Sequence, residues 1–364
     1  MDPDQLPVRP PWQTRTGGWV GKLRQRLDRP EHGGPGGRGF IPVGVVTDSA
    51  AALPADWAKA HGRYLRVVPM PVMIDHQIYS EGTDDVPHEL ALGLAMGKSV
   101  RTSRPAPGQL LRAYRELADA GVKRIISIHL SGSLSGTVDA ARLGAAQSPV
   151  PVTVIDSLTV ALAEGFAVME VVTAAAAGAS LGELVEIAGR APENHVFFAV
   201  PSLEQLRRGG RIGAMASVLG TLLNVKPILS VCDGHIIAHE KVRSQSRTVA
   251  RLVAIARAEA AARGPEARLA VHYFGNEAAA EEVVHELAGA SRFEVLAVPV
   301  PAVLGAHTGA GVLAVAIGGG TAPRPPGPAD AKPRQSAPRR EHRPRQGGDP
   351  GTAPRPEVPA ATPE

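Results

Sequence analysis

The sequence predicts an α/β protein with two unlike halves, and three observations carry that reading. From Phe40 onward, apolar β-branched runs alternate three times with polar loops and helical patterns. The second half mixes helices and strands and holds an Asp233-Gly234 turn between two apolar runs, the mark of an antiparallel hairpin. Both ends change abruptly to Pro, Gly and Arg, which cannot build a core. Residues 1–40 therefore read as a disordered leader, 41–160 as an N-terminal lobe with a mainly parallel sheet flanked by helices, 161–319 as a second lobe with a mixed sheet, and 320–364 as a disordered tail.

The elements follow in order. Residues 41–46 form a compact apolar run ending in Thr47-Asp48-Ser49, a buried strand entering a polar loop. Residues 54–61 read as a short helix with Pro54 in its first turn. Residues 65–74 are a second apolar stretch broken by Pro69 and Pro71, and 102–108 are a turn-rich loop. Leu110, Leu111, Tyr114 and Leu117 give helical spacing over 108–120, closed by Gly121. Strand 124–130 ends in Ser131-Gly132-Ser133, helix 138–147 follows, and strand 152–155 ends in Asp156-Ser157. Strand–loop–helix alternation favours a parallel sheet, whose ligands sit beyond the carboxyl ends of its strands. The polar clusters after these strands thus mark one edge as the candidate site.

The second half reads as helices over 164–178, 181–190, 203–211, 246–262 and 277–288. Its strands are expected over 196–200, 225–231, 236–242, 268–274, 293–300 and 311–317, with a further apolar run at 215–223.

Charge narrows the function. Residues 1–40 hold seven Lys/Arg against four Asp/Glu, and 321–364 hold eight against five. The whole chain is +4, which leaves −2 on residues 41–320. The basic character belongs to the ends, so the folded core is not expected to bind nucleic acid. Trp19, Val20, Leu23 and Leu27 with Lys22, Arg24 and Arg26 outline one short basic amphipathic helix within the leader. The lone cysteine, Cys232, rules out an internal disulfide and fits a cytoplasmic protein. No apolar run is long enough to span a bilayer, and no secretory signal is read at the start. The histidines show no metal-ligand spacing, and no cofactor motif stands in a supporting context. Gly309-Ala310-Gly311 lacks the strand–helix–strand unit of a dinucleotide site. In Gly132-Ser133-Leu134-Ser135-Gly136 the central residue is Leu, so the loop is not a nucleophile elbow.

Nine blocks in order resemble the DegV family. They include Val46-Thr47-Asp48-Ser49-Ala50, Val67-Val68-Pro69-Met70-Pro71-Val72, Tyr79 with Glu81-Gly82, and Thr102-Ser103-Arg104-Pro105-Ala106-Pro107-Gly108. The Ser-rich loop from Ile128 to Thr137, Leu206-Arg207-Arg208-Gly209-Gly210-Arg211-Ile212, and Leu222-Leu223-Asn224-Val225-Lys226-Pro227 follow. Glu240-Lys241-Val242-Arg243 and Gly305-Ala306-His307-Thr308-Gly309 complete the set. The resemblance implies a two-lobed DegV-like fold that holds a long-chain fatty acid in a tunnel between the lobes. It implies a non-enzymatic acyl carrier with no catalytic residue, no metal and no cofactor, and in some bacteria a soluble fatty-acid kinase partner that phosphorylates the bound carboxylate. The carboxylate positions it implies are Thr102, Ser103, Ser131, Gly132, Ser133 and His307. Arg104 stands where the family usually has Gln, and Gly132 where a second Ser is common. Arg207, Arg208 and Arg211 form a basic group suited to docking such a partner.

The chemistry is coherent. A carboxylate whose chain is buried needs fixed donors, which hydroxyls and loop N–H groups supply without an unpaired buried cation. Imidazolium at His307 is expected to add a charge-assisted bond near neutral pH. The competing expectation is an acyl-ester hydrolase or acyltransferase using a loop serine with His307.

Overall fold

The computed structural model describes residues 42–81, 85–213, 226–242 and 244–321. The amphipathic stretch around Trp19, the apolar run 215–223, Gly82, Asn224, Val225, Arg243 and the proline-rich end lie outside the described residues.

Seven strands come from the first half: Val43–Asp48 (β1), Leu65–Val68 (β2), Pro71–Ile74 (β3), Gln77–Ser80 (β4), Val100–Thr102 (β5), Arg124–His129 (β6) and Val152–Asp156 (β7). Four of them make a sheet in the order β2-β1-β6-β7, with every neighbouring pair parallel. All six residues of β1 are buried, which explains its unbroken apolar run: a parallel strand is covered on both faces. Helices Pro107–Asp119 and Thr137–Ala145 cover one face through Leu110, Tyr114, Leu117, Ala140 and Ala141.

The stretch 65–74 is two strands rather than one. Pro69 lies in the break, and β3 leaves the parallel sheet to form an antiparallel sheet of its own, β4-β3-β5. Thr102, expected in a loop, ends β5 opposite Val72.

The second half supplies His195–Ala199 (β8), Lys226–Cys232 (β9), His235–Val242 (β10), Arg268–Tyr273 (β11), Leu296–Pro299 (β12) and Leu313–Gly318 (β13). Their order is β10-β9-β8-β13-β11-β12, antiparallel except for β11 with β12. The hairpin at Asp233-Gly234 is as expected. Both residues have positive φ, 48° and 79°, the requirement of the tight turn whose twist matches the strands. Helices Gln245–Arg263 and Glu277–Leu287 cover the outer face of this mixed sheet.

Helix Leu162–Ala176 packs against β1 of the parallel sheet and β13 of the mixed one. A helix apolar on all sides is a buried helix, and ten of its residues are buried. Gly165 lets it approach closely, because a Cβ there would overlap the Ala51 carbonyl oxygen and come 2.6 Å from Leu162 Cδ1. Gly165→Ala is expected to cost about 1–3 kcal/mol by overpacking, read as a lowered unfolding midpoint in denaturant.

Candidate functional site

Between the two larger sheets lies a cavity whose unfilled volume, counted out through its mouth into open solvent, is about 860 Å³. Met70, Leu130, Val160 and Ala161 form one wall, and Val196, Phe198, Val231, Ile236 and Ala314 from the mixed sheet form the other. Strand alternation builds the second wall. Phe198 pairs with Ala314 and Ala314 with His272, so the three side chains share the inner face. Val300, Val303 and Leu304, at the end of β12 and in the short helix Ala302–Thr308, complete the apolar lining.

Polar groups gather where this space reaches solvent: Thr102, Ser103, Arg104, Arg211, His307 and Thr308. Thr102 Oγ1 lies 2.8 Å from His307 Nε2, joining the three-stranded sheet to helix Ala302–Thr308. Glu81 accepts a hydrogen bond from the Ala302 N–H and so fixes the start of that helix. Arg211 is half-buried; its Nε donates to the Leu134 carbonyl at 3.1 Å and its Nη1 to that of Gly209 at 2.6 Å. Gly209 has no side chain because one would overlap His307 Nδ1. That nitrogen is buried without a hydrogen-bond partner among the described residues.

His307 departs from the sequence expectation. Burial first, and then the Arg211 cation, push its pKa down to about 4. The ring is therefore neutral near pH 7, and the cations at the opening are Arg104 and Arg211. The sequence showed no apolar stripe around His307 because the helix is only seven residues long; its buried neighbours are Ala302, Val303, Gly305 and Ala306.

The Ser-rich loop is arranged differently from Thr102 and His307. Ser131 is buried; its hydroxyl donates to the Gly234 carbonyl at 2.8 Å and accepts from the Ser133 N–H at 3.1 Å. Gly132 N–H donates to both Asp156 carboxylate oxygens at 3.1 Å. Ser133 Oγ lies 3.4 Å from His235 Nε2. Ser131 and Ser133 grip the β9–β10 turn and Gly132 ties the loop to the end of β7, while Leu130, Leu134 and Ser135 of the same loop line the cavity. The basic group also divides. Arg207 and Arg208 are exposed, with Arg208 paired to Glu204 at 2.5 Å, whereas Arg211 lines the cavity.

A separate polar chain is fully buried beneath the parallel sheet's edge. Asp48 Oδ2 lies 2.9 Å from His129 Nδ1, His129 Nε2 lies 2.7 Å from Ser127 Oγ, and Ser127 meets the Tyr114 hydroxyl at 2.9 Å. Its order imitates a hydrolase triad, but all three residues are closed to solvent and none lines the cavity. Beside it, burial and then the Asp48 charge raise the Glu164 carboxyl well above its ordinary pKa, and Thr47 donates to it at 3.1 Å.

Sequence reasoning left Arg104 open between turning inward and standing on the surface, grouped Arg211 with Arg207 and Arg208, and missed His272 and Ala161 in the wall. Among the described residues no His/Cys/Asp/Glu group is arranged to hold a metal ion, and no helix is long and apolar enough to cross a membrane.

Fold and site together define an α/β protein whose parallel and mixed sheets enclose an apolar space with a polar opening. The family model described as uncharacterised protein, DegV family, matches residues 42–318. A DegV domain-containing protein of Streptomyces coelicolor is 40% identical over 280 residues, which are 76% of this chain and 98% of that one. The structure of a DegV family protein from Thermus thermophilus, described by its fatty acid binding, is similar at a TM-score of 0.71 and 33% identity. It covers 77% of this chain and 100% of its own. DegV of Bacillus subtilis, described as a fatty acid binding protein, gives a TM-score of 0.69 at 27% identity, again over 77% and 100%. The chain belongs to the DegV family.

Proposed function

We propose that this protein binds a long-chain fatty acid, with the acyl chain in the cavity between lobes 41–160 and 161–319 and the carboxylate at the opening. The observation that carries the reading is the division of the cavity into a continuous apolar wall and an end where Thr102, Ser103, Arg211 and His307 converge. Each buried methylene contributes about 0.8 kcal/mol, so the chain supplies most of the affinity and the polar end sets orientation. The solved relatives described as fatty acid binding support it.

In this reading the chain has no catalytic residue of its own, needs no cofactor, and works in the cytoplasm. A soluble fatty-acid kinase is the partner, phosphorylating the carboxylate at the opening, with Arg207 and Arg208 on the docking rim. Ser131 and Ser133 support the opening indirectly by holding the β9–β10 turn, and Gly132 by tying the loop to Asp156. No observation favours the hydrolase alternative. Ser131 and Ser133 face Gly234 and His235, and the His307 Nε2 is engaged by Thr102.

Titration with a fluorescent polyene fatty acid, displaced by palmitate, tests the proposal. Saturable binding displaced by palmitate and weakly by palmityl alcohol is expected; no saturable binding overturns it.

The proposal also fixes a pH dependence. A carboxylate beside His307 favours the imidazolium, so the ring's pKa rises on binding from its free value of about 4. The complex then holds more protons than the free protein, and affinity increases as pH falls. A return to the ordinary value near 6.5 gives about tenfold tighter binding at pH 5.5 than at pH 8. Calorimetric titration across that range checks this, and His307→Gln is expected to flatten the profile.

A further inference from the structure

Helix Leu162–Ala176 starts in the cavity wall with a backbone its own residues do not support. Its N-cap, Ala161, has φ 59° and ψ −154°, a region that belongs essentially to glycine, and it has no side chain to cap the helix. Three residues earlier Leu158 also has positive φ, 51°. Two such non-glycine residues bracket Val160, and Val160 and Ala161 both line the cavity. Strain of this kind persists only where the surroundings hold it in place.

The start of the turn is held from its own side, with the Ser131 N–H donating to the Thr159 carbonyl at 2.9 Å and the Leu158 N–H to Asp156 Oδ1 at 3.0 Å, and the group that holds its end at Leu162 is His272. Its Nε2 accepts from the Leu162 N–H at 3.1 Å, and its Nδ1 donates to the Val298 carbonyl at 3.1 Å. The two bonds fix the neutral tautomer with the proton on Nδ1. The ring is 1% exposed, and burial pushes its pKa down to about 4, in keeping with its use as an acceptor. His272 comes from β11 of the mixed sheet and itself lines the cavity. One side chain thus anchors the strained turn of one wall to the sheet that forms the other.

We infer that His272 is a positioning residue that pins Val160 and Ala161, fixes the cavity's cross-section there, and thereby sets which acyl chains are accepted. This rests on the fatty-acid reading above and extends it to specificity.

The test uses the full chain and competition of C12–C20 saturated and cis-unsaturated acids against a fluorescent fatty acid. His272→Gln keeps an acceptor for Leu162 and a donor for Val298. His272→Asn keeps the Val298 bond but is too short to reach Leu162, and His272→Leu removes both. The expected result is a wild-type ratio between best and worst chains that falls at least tenfold in His272→Asn and His272→Leu and is restored in His272→Gln. Ala161→Gly, which relieves the strain without removing the bond, is expected to raise the melting temperature. An unchanged chain profile in folded His272→Asn overturns the inference, and that variant decides the matter if His272→Leu does not fold. If the wild type binds no acid at all, the broader reading fails instead.

Discussion

Ala314→Phe is expected to abolish tight binding of C16 and C18 acids while leaving the fold in place. Ala314 sits buried on β13 between Phe198 and His272, at the point where the core borders the cavity. A benzyl group there occupies volume the ligand needs, so the fold loses little. If the ring displaces four methylenes, the loss is about 3 kcal/mol, on the order of a hundredfold in Kd. A C10 acid, which ends before the obstruction, should bind as it does to the wild type. Competition titrations with C10 and C16 acids, beside a melting curve, check both halves. Equal weakening for both lengths contradicts a chain lying along this wall.

The second large effect is expected at the polar end. Arg211→Met keeps the aliphatic stem and removes the cation that lies beside His307. A hydrogen bond to a charged group contributes about 1.5–3 kcal/mol, so affinity for palmitate should fall by about ten- to a hundredfold. Palmityl alcohol carries no charge to lose, and its affinity should stay within a factor of about three. The variant also gives up the bonds to Leu134 and Gly209, at about 1–2 kcal/mol of stability, so a melting curve belongs beside the titration. Parallel losses for acid and alcohol mean that Arg211 supports the loop rather than the carboxylate.

Much of the fold was legible because its signals are local. The buried β1 run, the helical spacing of Leu110, Tyr114 and Leu117, and the Asp233-Gly234 turn each announce one element within a few residues. The three-stranded sheet did not announce itself, since Pro69 and Pro71 look like interruptions of one strand and β5 is three residues long. Helix Ala302–Thr308 is too short to show a period, and with it went the setting of His307.

The site was half legible. Thr102, Ser103 and His307 carry a recognisable pattern; all three line the cavity, and Thr102 lies 2.8 Å from His307. Nothing in the letters tells which serine hydroxyl is already occupied, and Ser131 is taken by a carbonyl 103 residues away. Arg211 was grouped with Arg207 and Arg208 by spacing, but the chain turns at Gly209-Gly210, where Gly210 has φ 70°, and sends it inward. His272 and Ala161 left no trace, because one depends on strand parity within the mixed sheet and the other on a dihedral angle.

The most direct test is mass spectrometry of the organic extract from the full-length protein purified from a bacterial host. A tightly held acyl chain predicts a C14–C18 fatty acid at close to one per chain, and stoichiometric uptake of added palmitate once that lipid is stripped. Protein that emerges free of lipid and takes up none contradicts it.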